Sequence, residues 1–254
     1  MTNLEKAFNR IDEYIKLRMK EDDTPGIGLA LTDRDRTLRV SGYGYANLDA
    51  QTPVTGDTLF EIASIGKSFV SFSLLKEFED GRLDLHKPAS EYLPWFEVQS
   101  KYEPITVHHL LSATAGITIG VDTGPHGLHE AWNLRHQVAA WPPGSTFYTS
   151  NVGYKVLGFL LENVAGKSLQ KIIQSYILDP LEMSSTHAVI TQDSWRDMAI
   201  GYRPFYDDRP PHHSYPRRPI PWHEYGAGDG PVASTPKDMA KYVRMILNRG
   251  RGPT

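Results

Sequence analysis

The helix that follows Gly66 constrains the fold most, because apolar residues cover most of its surface. These residues are Phe69, Val70, Phe72, Leu74, Leu75 and Phe78. A helix that is apolar on nearly every side is stable in water only when other elements surround it. Gly81 is well placed to end this helix. We therefore expect the helix to lie in the middle of a domain.

The chain before this helix has a different pattern. Apolar residues at helical spacing between Leu4 and Met19 predict an N-terminal helix. Two strands are predicted next, Ile27–Thr32 and Thr37–Gly42, and the polar residues between them favour a hairpin. A helix followed by a hairpin is typical of an antiparallel sheet that has a helix on one face.

Helical patterns separated by turn signals dominate from about residue 59 to residue 201. Thr106 is the predicted N-cap of a short helix, and Thr235 is the predicted N-cap of a last helix. Between residues 203 and 222, several prolines predict a stretch without regular structure.

We expect an α+β fold with two parts. The sheet part consists of residues 1–57 and 226–254, and a mainly helical part, residues 58–225, carries the apolar helix. The chain has 254 residues, of which 40% are hydrophobic, and this length suits one large domain or two interleaved ones.

The composition excludes several classes of protein. A net charge of −3 offers no polybasic surface for nucleic acid or for a membrane anchor, and the apolar stretches are too short to span a bilayer. The chain has no cysteine, which excludes disulfides, thiolate catalysis and cysteine-bound metals. No signal peptide is visible at the N-terminus, so we expect a cytoplasmic protein, or a periplasmic or secreted one if the N-terminus is incomplete. The sequence does not predict the oligomeric state.

Ser64 and Lys67 stand three residues apart at the start of the apolar helix, which places them on one face. A serine hydroxyl becomes an effective nucleophile when a neighbouring base takes its proton. Lysine serves as that base when burial and the helix dipole lower its pKa from about 10.4 to roughly 7–8. The pair is therefore a candidate nucleophile and base, and the Ser64 backbone N–H is a candidate oxyanion donor. The spacing alone also occurs by chance, with the serine as an exposed helix cap.

Further segments resemble, in order along the chain, the motifs of the class C β-lactamase and carboxylesterase family, a branch of the serine β-lactamases and penicillin-binding proteins. They are Leu59–Lys67, Ile105–Ile117, Pro143–Tyr154, Asp179–Met183 and Ser234–Met239. The resemblance implies a β-lactamase/transpeptidase-like fold and a serine hydrolase that forms an acyl-enzyme. Its substrate would be a small molecule or short peptide with an ester, amide or β-lactam carbonyl, and no cofactor is implied.

The second motif of that family is Tyr-x-Asn, whose tyrosine assists proton transfer. Aligned without gaps, Thr149 falls at the tyrosine position and Tyr148 lies one place before it. Either the Thr149 hydroxyl replaces the tyrosine, as in the Ser-x-Asn motif of class A enzymes, or a local bulge turns Tyr148 inward. We favour Thr149, which leaves Tyr148 as an aromatic packing residue. Asn151 resembles the amide that orients the substrate and the lysine, and it could also cap the helix from Val152.

In that family, strands after the last helix complete the sheet and carry a third motif that lines the site. This sequence ends at Thr254 before such a motif, so it predicts a truncated chain that lacks the C-terminal strands of the sheet. By resemblance, the proline-containing stretch lies near the substrate, with Tyr206, Tyr215 and Trp222 as candidate substrate-binding residues.

Three other functions are compatible with the sequence. His126, His129 and Glu130 lack the His-Glu-x-x-His spacing of a metal hydrolase, so they favour a polar loop and no metal site. The prolines near Arg217 and Arg218 could bind a partner as a polyproline segment, although an irregular loop is the simpler interpretation. The replaced tyrosine and the missing third motif would also suit a catalytically inactive relative that binds a ligand or partner.

Overall fold

The computed structural model describes most of the chain, and its contacts divide it into two compact units. The described residues are 2–118, 126–210, 212, 214–220, 227–230 and 232–252. The first unit, which we call the sheet unit, contains Met1–Phe60, Gln192–His223 and Ser234–Thr254. The second, the helical unit, contains Glu61–Thr191 and Glu224–Ala233.

Along the described chain, a helix and a group of strands come first, a run of helices follows, and three short strands precede the last helix. The helices are α1 (Asn3–Glu21), α2 (Gly66–Glu79), α3 (Ala89–Tyr92), α4 (Val107–Leu111), α5 (Gly127–Trp132), α6 (Asn151–Ala165), α7 (Leu169–Ile173), α8 (Gln192–Trp195) and α9 (Pro236–Leu247). The strands are β1 (Gly26–Thr32), β2 (Thr37–Asn47), β3 (Thr52–Pro53), β4 (Phe60–Glu61), β5 (Tyr202–Pro204), β6 (Arg217–Pro219) and β7 (Ala233–Ser234). Ala63–Ile65 and Asn133–His136 form 3₁₀ turns, and Gln174–Leu178 forms a π-helical turn.

The predicted N-terminal helix and hairpin are confirmed in the sheet unit. Strands β1 and β2 pair antiparallel, from Gly26 opposite Gly44 to Thr32 opposite Thr37, and β3 lies beside β2. Helix α1 is tied to this sheet by Asp12, which accepts hydrogen bonds from Arg39 Nη2 at 2.7 and 2.8 Å. Helix α9 also packs against β1.

The apolar helix α2 lies at the centre of the helical unit, as its composition predicts. Phe69, Val70 and Leu74 are fully buried, and α2 packs against α6 and α7. The burial is less complete than the pattern suggests, because Leu75 and Phe78 are 39% and 44% exposed. Hydrophobic pattern alone therefore locates the core helix but overstates how much of its surface is covered.

The predicted helix ends are confirmed. The Thr106 hydroxyl accepts a hydrogen bond from the His109 backbone N–H at the start of α4, and the Thr235 hydroxyl accepts one from Asp238 N–H at the start of α9. Gly81 follows the end of α2 with φ +74°, a left-handed conformation that glycine adopts without steric cost.

The prediction that the proline-containing stretch has no regular structure is wrong in part. Strands β5 and β6 pair antiparallel, with Tyr202 opposite Pro219 and Pro204 opposite Arg217. Both prolines are the last residues of their strands. The backbone N–H that proline lacks therefore does not break a longer run of hydrogen bonds between strands. Prolines therefore limited these strands to three residues each without preventing them.

This stretch belongs to the sheet unit, whereas the sequence-based boundaries placed it with the helical part. Long-range hydrogen bonds within the sheet unit hold it there: Leu48 N–H donates to the Tyr202 hydroxyl at 2.9 Å, and Ile200 N–H donates to the Ala46 carbonyl at 2.8 Å. Single-sequence patterns carry no signal for such contacts between segments far apart in the chain.

One ion pair of the helical unit involves a fully buried carboxylate on α2. Glu77 accepts hydrogen bonds from Arg82 Nε at 2.5 Å and from the Tyr176 hydroxyl at 2.6 Å. Burial by itself raises the pKa of Glu77, but the hydrogen bonds from Arg82 and Tyr176 outweigh it, so the pKa lies below its usual value. Glu77 therefore stays charged at neutral pH and anchors the far end of α2.

Candidate active site

The backbone turns sharply just before Ser64. Ala63, the first residue of the 3₁₀ turn that leads into α2, has φ +45°, a left-handed conformation that costs an alanine about 1 kcal/mol or more. Strained residues of this kind cluster at functional sites. Ser64 itself is exposed, and Lys67, on the first turn of α2, is half-buried.

Ser64 and Lys67 are brought together as their spacing predicts. Lys67 Nζ lies 2.8 Å from Ser64 Oγ and donates a hydrogen bond to it. The same amine donates a second hydrogen bond, also 2.8 Å long, to the backbone carbonyl of Asp229. Its nitrogen lies 5.8 Å from the centre of the Tyr154 ring. Lys67 is thus held by contacts from three separate parts of the helical unit.

The segment around Asp229 approaches the start of α2 so closely that only glycine fits. A Cβ atom on Gly230 would lie 2.6 Å from the Ala63 carbonyl oxygen and 3.3 Å from Ser64 N, and Gly230 has φ +151°. A Cβ atom on Gly66 would lie 3.0 Å from Gly230 Cα. Two glycines therefore let the chain pass directly beside the nucleophile.

The other side of this segment packs equally closely against α6. A Cβ atom on Gly228 would lie 2.3 Å from the Tyr154 carbonyl oxygen, and one on Gly158 would lie 2.9 Å from Gly228 Cα. Asp229 was missed by the sequence analysis. The signal that could have indicated it is the glycine-rich run Gly226–Gly230, because closely spaced glycines often mark a close approach of two backbones.

The second predicted motif begins helix α6. Ser150 is the N-cap, and its hydroxyl accepts a hydrogen bond from Gly153 N–H at 3.2 Å. Asn151 is the first helical residue and is half-buried. The suggestion that Asn151 could cap this helix is therefore wrong, because Ser150 occupies the cap position. A role of Asn151 in orienting the substrate and the lysine stays a prediction.

Tyr148 and Thr149 have different surroundings. Tyr148 N–H donates to the Ala113 carbonyl at 2.8 Å, and the Tyr148 ring packs edge-on against Trp141, with ring centres 5.8 Å apart. Thr149 is exposed and directly precedes the capping Ser150. The tyrosine therefore has an aromatic partner of its own.

The predicted substrate-binding tyrosines lie in the sheet unit. The ring centres of Tyr206 and Tyr215 are 5.5 Å apart, and the Arg209 guanidinium lies 4.7 Å from the Tyr206 ring centre. Trp222, the third predicted member, lies outside the described residues. The role of these aromatic residues in binding remains a prediction.

The candidate metal ligands have other contacts. His126 accepts a hydrogen bond from Leu128 N–H at the start of α5, His129 pairs with Asn133, and Glu130 pairs with Lys155. Over the part of the chain that the structure describes, no three His, Asp or Glu side chains are grouped in a way that could hold a metal ion. No helix within the same residues combines the length and the apolar character needed to cross a bilayer.

Comparisons with known proteins identify relatives of this chain. Protein flp of Staphylococcus aureus (strain N315) is 29% identical over 202 residues, which cover 76% of this chain and 41% of that protein. The unguisins hydrolase ungD of Aspergillus violaceofuscus (strain CBS 115571) is 29% identical over 269 residues, which cover 97% of this chain and 46% of that protein. The chain therefore spans less than half the length of these two relatives.

A solved structure and a family model extend the comparison. The octameric penicillin-binding protein homologue from Pyrococcus abyssi superposes with a TM-score of 0.83 and 30% sequence identity, over 96% of this chain and 57% of that one. This similarity confirms the predicted β-lactamase/transpeptidase-like α+β fold. The family model described as Beta-lactamase matches residues 11–254. The matched residues include the paired Ser64 and Lys67. The chain therefore belongs to the beta-lactamase family.

Proposed function

We propose that this chain is a serine hydrolase that acts through an acyl-enzyme on an ester, amide or β-lactam carbonyl of a small molecule or short peptide. The observation that carries the proposal is the 2.8 Å hydrogen bond between Lys67 Nζ and Ser64 Oγ, at the start of a buried helix. The name of the relative ungD, a hydrolase, supports hydrolysis as the reaction type.

In the proposed reaction, neutral Lys67 takes the proton of the Ser64 hydroxyl while Oγ attacks the substrate carbonyl carbon. The negative charge that develops on the carbonyl oxygen is stabilised by the Ser64 backbone N–H. The tetrahedral intermediate collapses, the leaving group departs with a proton, and the acyl group stays on Ser64. A water molecule then attacks the ester of the acyl-enzyme: its hydroxyl joins the acyl group, which is released as the acid, and its other proton passes to Ser64 Oγ.

Thr149 is the proposed relay that passes the proton to the leaving group. The packing of Tyr148 against Trp141 supports this choice, because turning the tyrosine inward would break that contact. Thr149 precedes Ser150 and Asn151, whose positions are fixed by the start of α6. Its exposed hydroxyl can therefore face a bound substrate.

The nucleophile is tested with a fluorophosphonate probe, which reacts with activated serines. We expect wild-type protein to be labelled on one residue, Ser64, and Ser64→Ala to lose the label completely. Ser68→Ala is the matched control, because Ser68 lies on the same helix and donates to the Ile65 carbonyl. A folded wild-type chain that takes up no label contradicts the proposal and favours a relative that binds a ligand without turning it over.

The relay is tested by comparing Thr149→Val with Tyr148→Phe in the hydrolysis of p-nitrophenyl acetate and of a chromogenic cephalosporin. We expect Thr149→Val to lower kcat by about 10²-fold or more, the usual contribution of a positioned proton donor. Tyr148→Phe keeps the ring packing and should change kcat less than threefold. A fall in kcat for Tyr148→Phe alone would assign the relay to the tyrosine instead.

A further inference from the structure

Lys155, on α6, is buried to an unusual degree for a lysine. Its side chain is 2% exposed, and its ammonium group forms an ion pair with Glu130 and lies 3.6 Å from Asp229 Oδ2. The two carboxylate side chains are themselves only 10% and 8% exposed. Burying a charge is costly unless it is paired, so the three groups depend on one another.

Asp229 connects this buried cluster to the nucleophile. Its carboxylate faces Lys155, while its backbone carbonyl accepts the hydrogen bond from Lys67. One residue therefore contacts both lysines. Because the carboxylate and the carbonyl belong to one residue, we expect a displacement of the Asp229 side chain to move the carbonyl that holds Lys67.

Two glycines flank Asp229 in that segment. Gly228 and Gly230, on either side of Asp229, contribute no side chains, and they pack by backbone contact against α6 and against the turn before Ser64. Glycine leaves the backbone free to rotate wherever packing does not fix it. The contact of Lys155 with the Asp229 carboxylate is a side-chain anchor for this stretch.

We propose that Lys155 is a positioning residue for the reaction at Ser64. By anchoring Asp229, Lys155 sets the position of Lys67 through the Asp229 carbonyl. Through its positive charge, Lys155 also sets the protonation of Lys67. The inference rests on the proposed hydrolase function. It adds to that function a buried cation, Lys155, which lies outside the nucleophile motif and supports the base Lys67.

The positive and negative charges of the cluster are expected to change the proton affinity of Lys67 in opposite directions. A nearby positive charge favours loss of the proton from Lys67, and a nearby negative charge favours its retention. The groups that face the Lys67 amine include the Ser64 hydroxyl, the Asp229 carbonyl and the Tyr154 ring. The charges of Lys155 and Glu130 are connected to the Lys67 amine through Asp229. Removing Lys155 and removing Glu130 should therefore move the pH dependence of Ser64 labelling in opposite directions.

The experiment measures the rate of fluorophosphonate labelling of Ser64 between pH 6 and pH 10. Lys155→Met should lower the rate at pH 7 about tenfold and raise the midpoint of the pH profile by about one unit, the equivalent of a tenfold change in proton affinity. Lys155→Arg, which keeps the charge, should recover most of the rate. Glu130→Gln should lower the midpoint.

Arg82→Met is the matched control, because it also removes the cationic partner of a buried carboxylate in the helical unit. It should lower stability and leave the midpoint of the profile unchanged. A general loosening of the unit would instead shift the profiles of Arg82→Met and Lys155→Met alike, and that outcome would overturn the inference. If Lys155→Met fails to fold, Glu130→Gln carries the test, and an unchanged midpoint in that variant counts against the inference.

A second measurement separates this inference from the proposed function. If wild-type protein takes up no fluorophosphonate, the hydrolase proposal fails, and the acetylation of Lys67 by acetic anhydride is followed instead by mass spectrometry over the same pH range. An upward shift of that profile in Lys155→Met supports the positioning of Lys67 even then. Identical profiles in the wild type and the variant overturn it.

Discussion

Lys67→Met is expected to lower the rate of Ser64 labelling and of ester hydrolysis by about 10²–10⁴-fold, the usual contribution of a positioned general base. Methionine has a similar length and keeps the packing of the first turn of α2, but it offers no nitrogen to take the serine proton. The variant loses the hydrogen bonds to Ser64 Oγ and to the Asp229 carbonyl together. Labelling time courses at pH 7 and pH 9 measure the effect.

Lys76→Met is the control for this prediction. Lys76 lies on the same helix, pairs with Asp80 and has a side chain that is 48% exposed, so its loss should change the rate less than twofold. The rate of Lys67→Met should recover in part at higher pH, where hydroxide replaces the missing base. If Lys67→Met is labelled as fast as the wild type at pH 7, another group activates Ser64.

Gly158→Ala is expected to lower the free energy of unfolding by about 1–3 kcal/mol, the usual cost of inserting a methyl group into a tightly packed core. The new Cβ would lie 2.9 Å from Gly228 Cα and from Gly228 N, which are backbone atoms that cannot rotate away. Because Gly228 precedes Asp229, the displaced segment also withdraws the carbonyl that holds Lys67, and Ser64 labelling should slow. Urea unfolding and labelling rates measure the two effects.

Gly153→Ala, on the same helix, separates this clash from the general effect of alanine in a helix. A Cβ at Gly153 would meet Ser150 Cβ at 3.5 Å, an ordinary van der Waals distance. Alanine favours a helix over glycine, so this variant should be neutral or more stable by up to about 1 kcal/mol. Equal stabilities of the two variants would show that α6 does not approach Gly228 so closely in the folded protein.

Local patterns in the sequence predicted the features that depend on neighbouring residues. The apolar surface of α2 located the core helix, the three-residue spacing of Ser64 and Lys67 brought their side chains together, and Thr106 and Thr235 marked helix starts. Each depends on helix geometry or on backbone N–H groups within one turn. The family resemblance supplied the overall fold, which the comparisons confirm.

Features that depend on distant segments were not predictable in the same way. The carbonyl of Asp229 meets Lys67 across 162 positions of the chain, and Lys155 pairs with Glu130 across 25. A buried lysine looks the same in a sequence as an exposed one, because its burial is decided by the elements that pack over it. The pairing of β5 with β6 was not predicted, because prolines generally disfavour strands, whereas these two lie at strand ends.

The hydrogen bond from Lys67 to the Asp229 carbonyl joins two parts of the site that are synthesised at different times. During synthesis the nucleophile and its base leave the ribosome together, within the long continuous stretch of the helical unit. The carbonyl that holds the base leaves only after residue 229 has been added. On the proposed mechanism, we therefore expect a nascent chain to expose Ser64 without the Asp229 contact to Lys67, and Ser64 to become reactive only after the later segment has packed against α2 and α6.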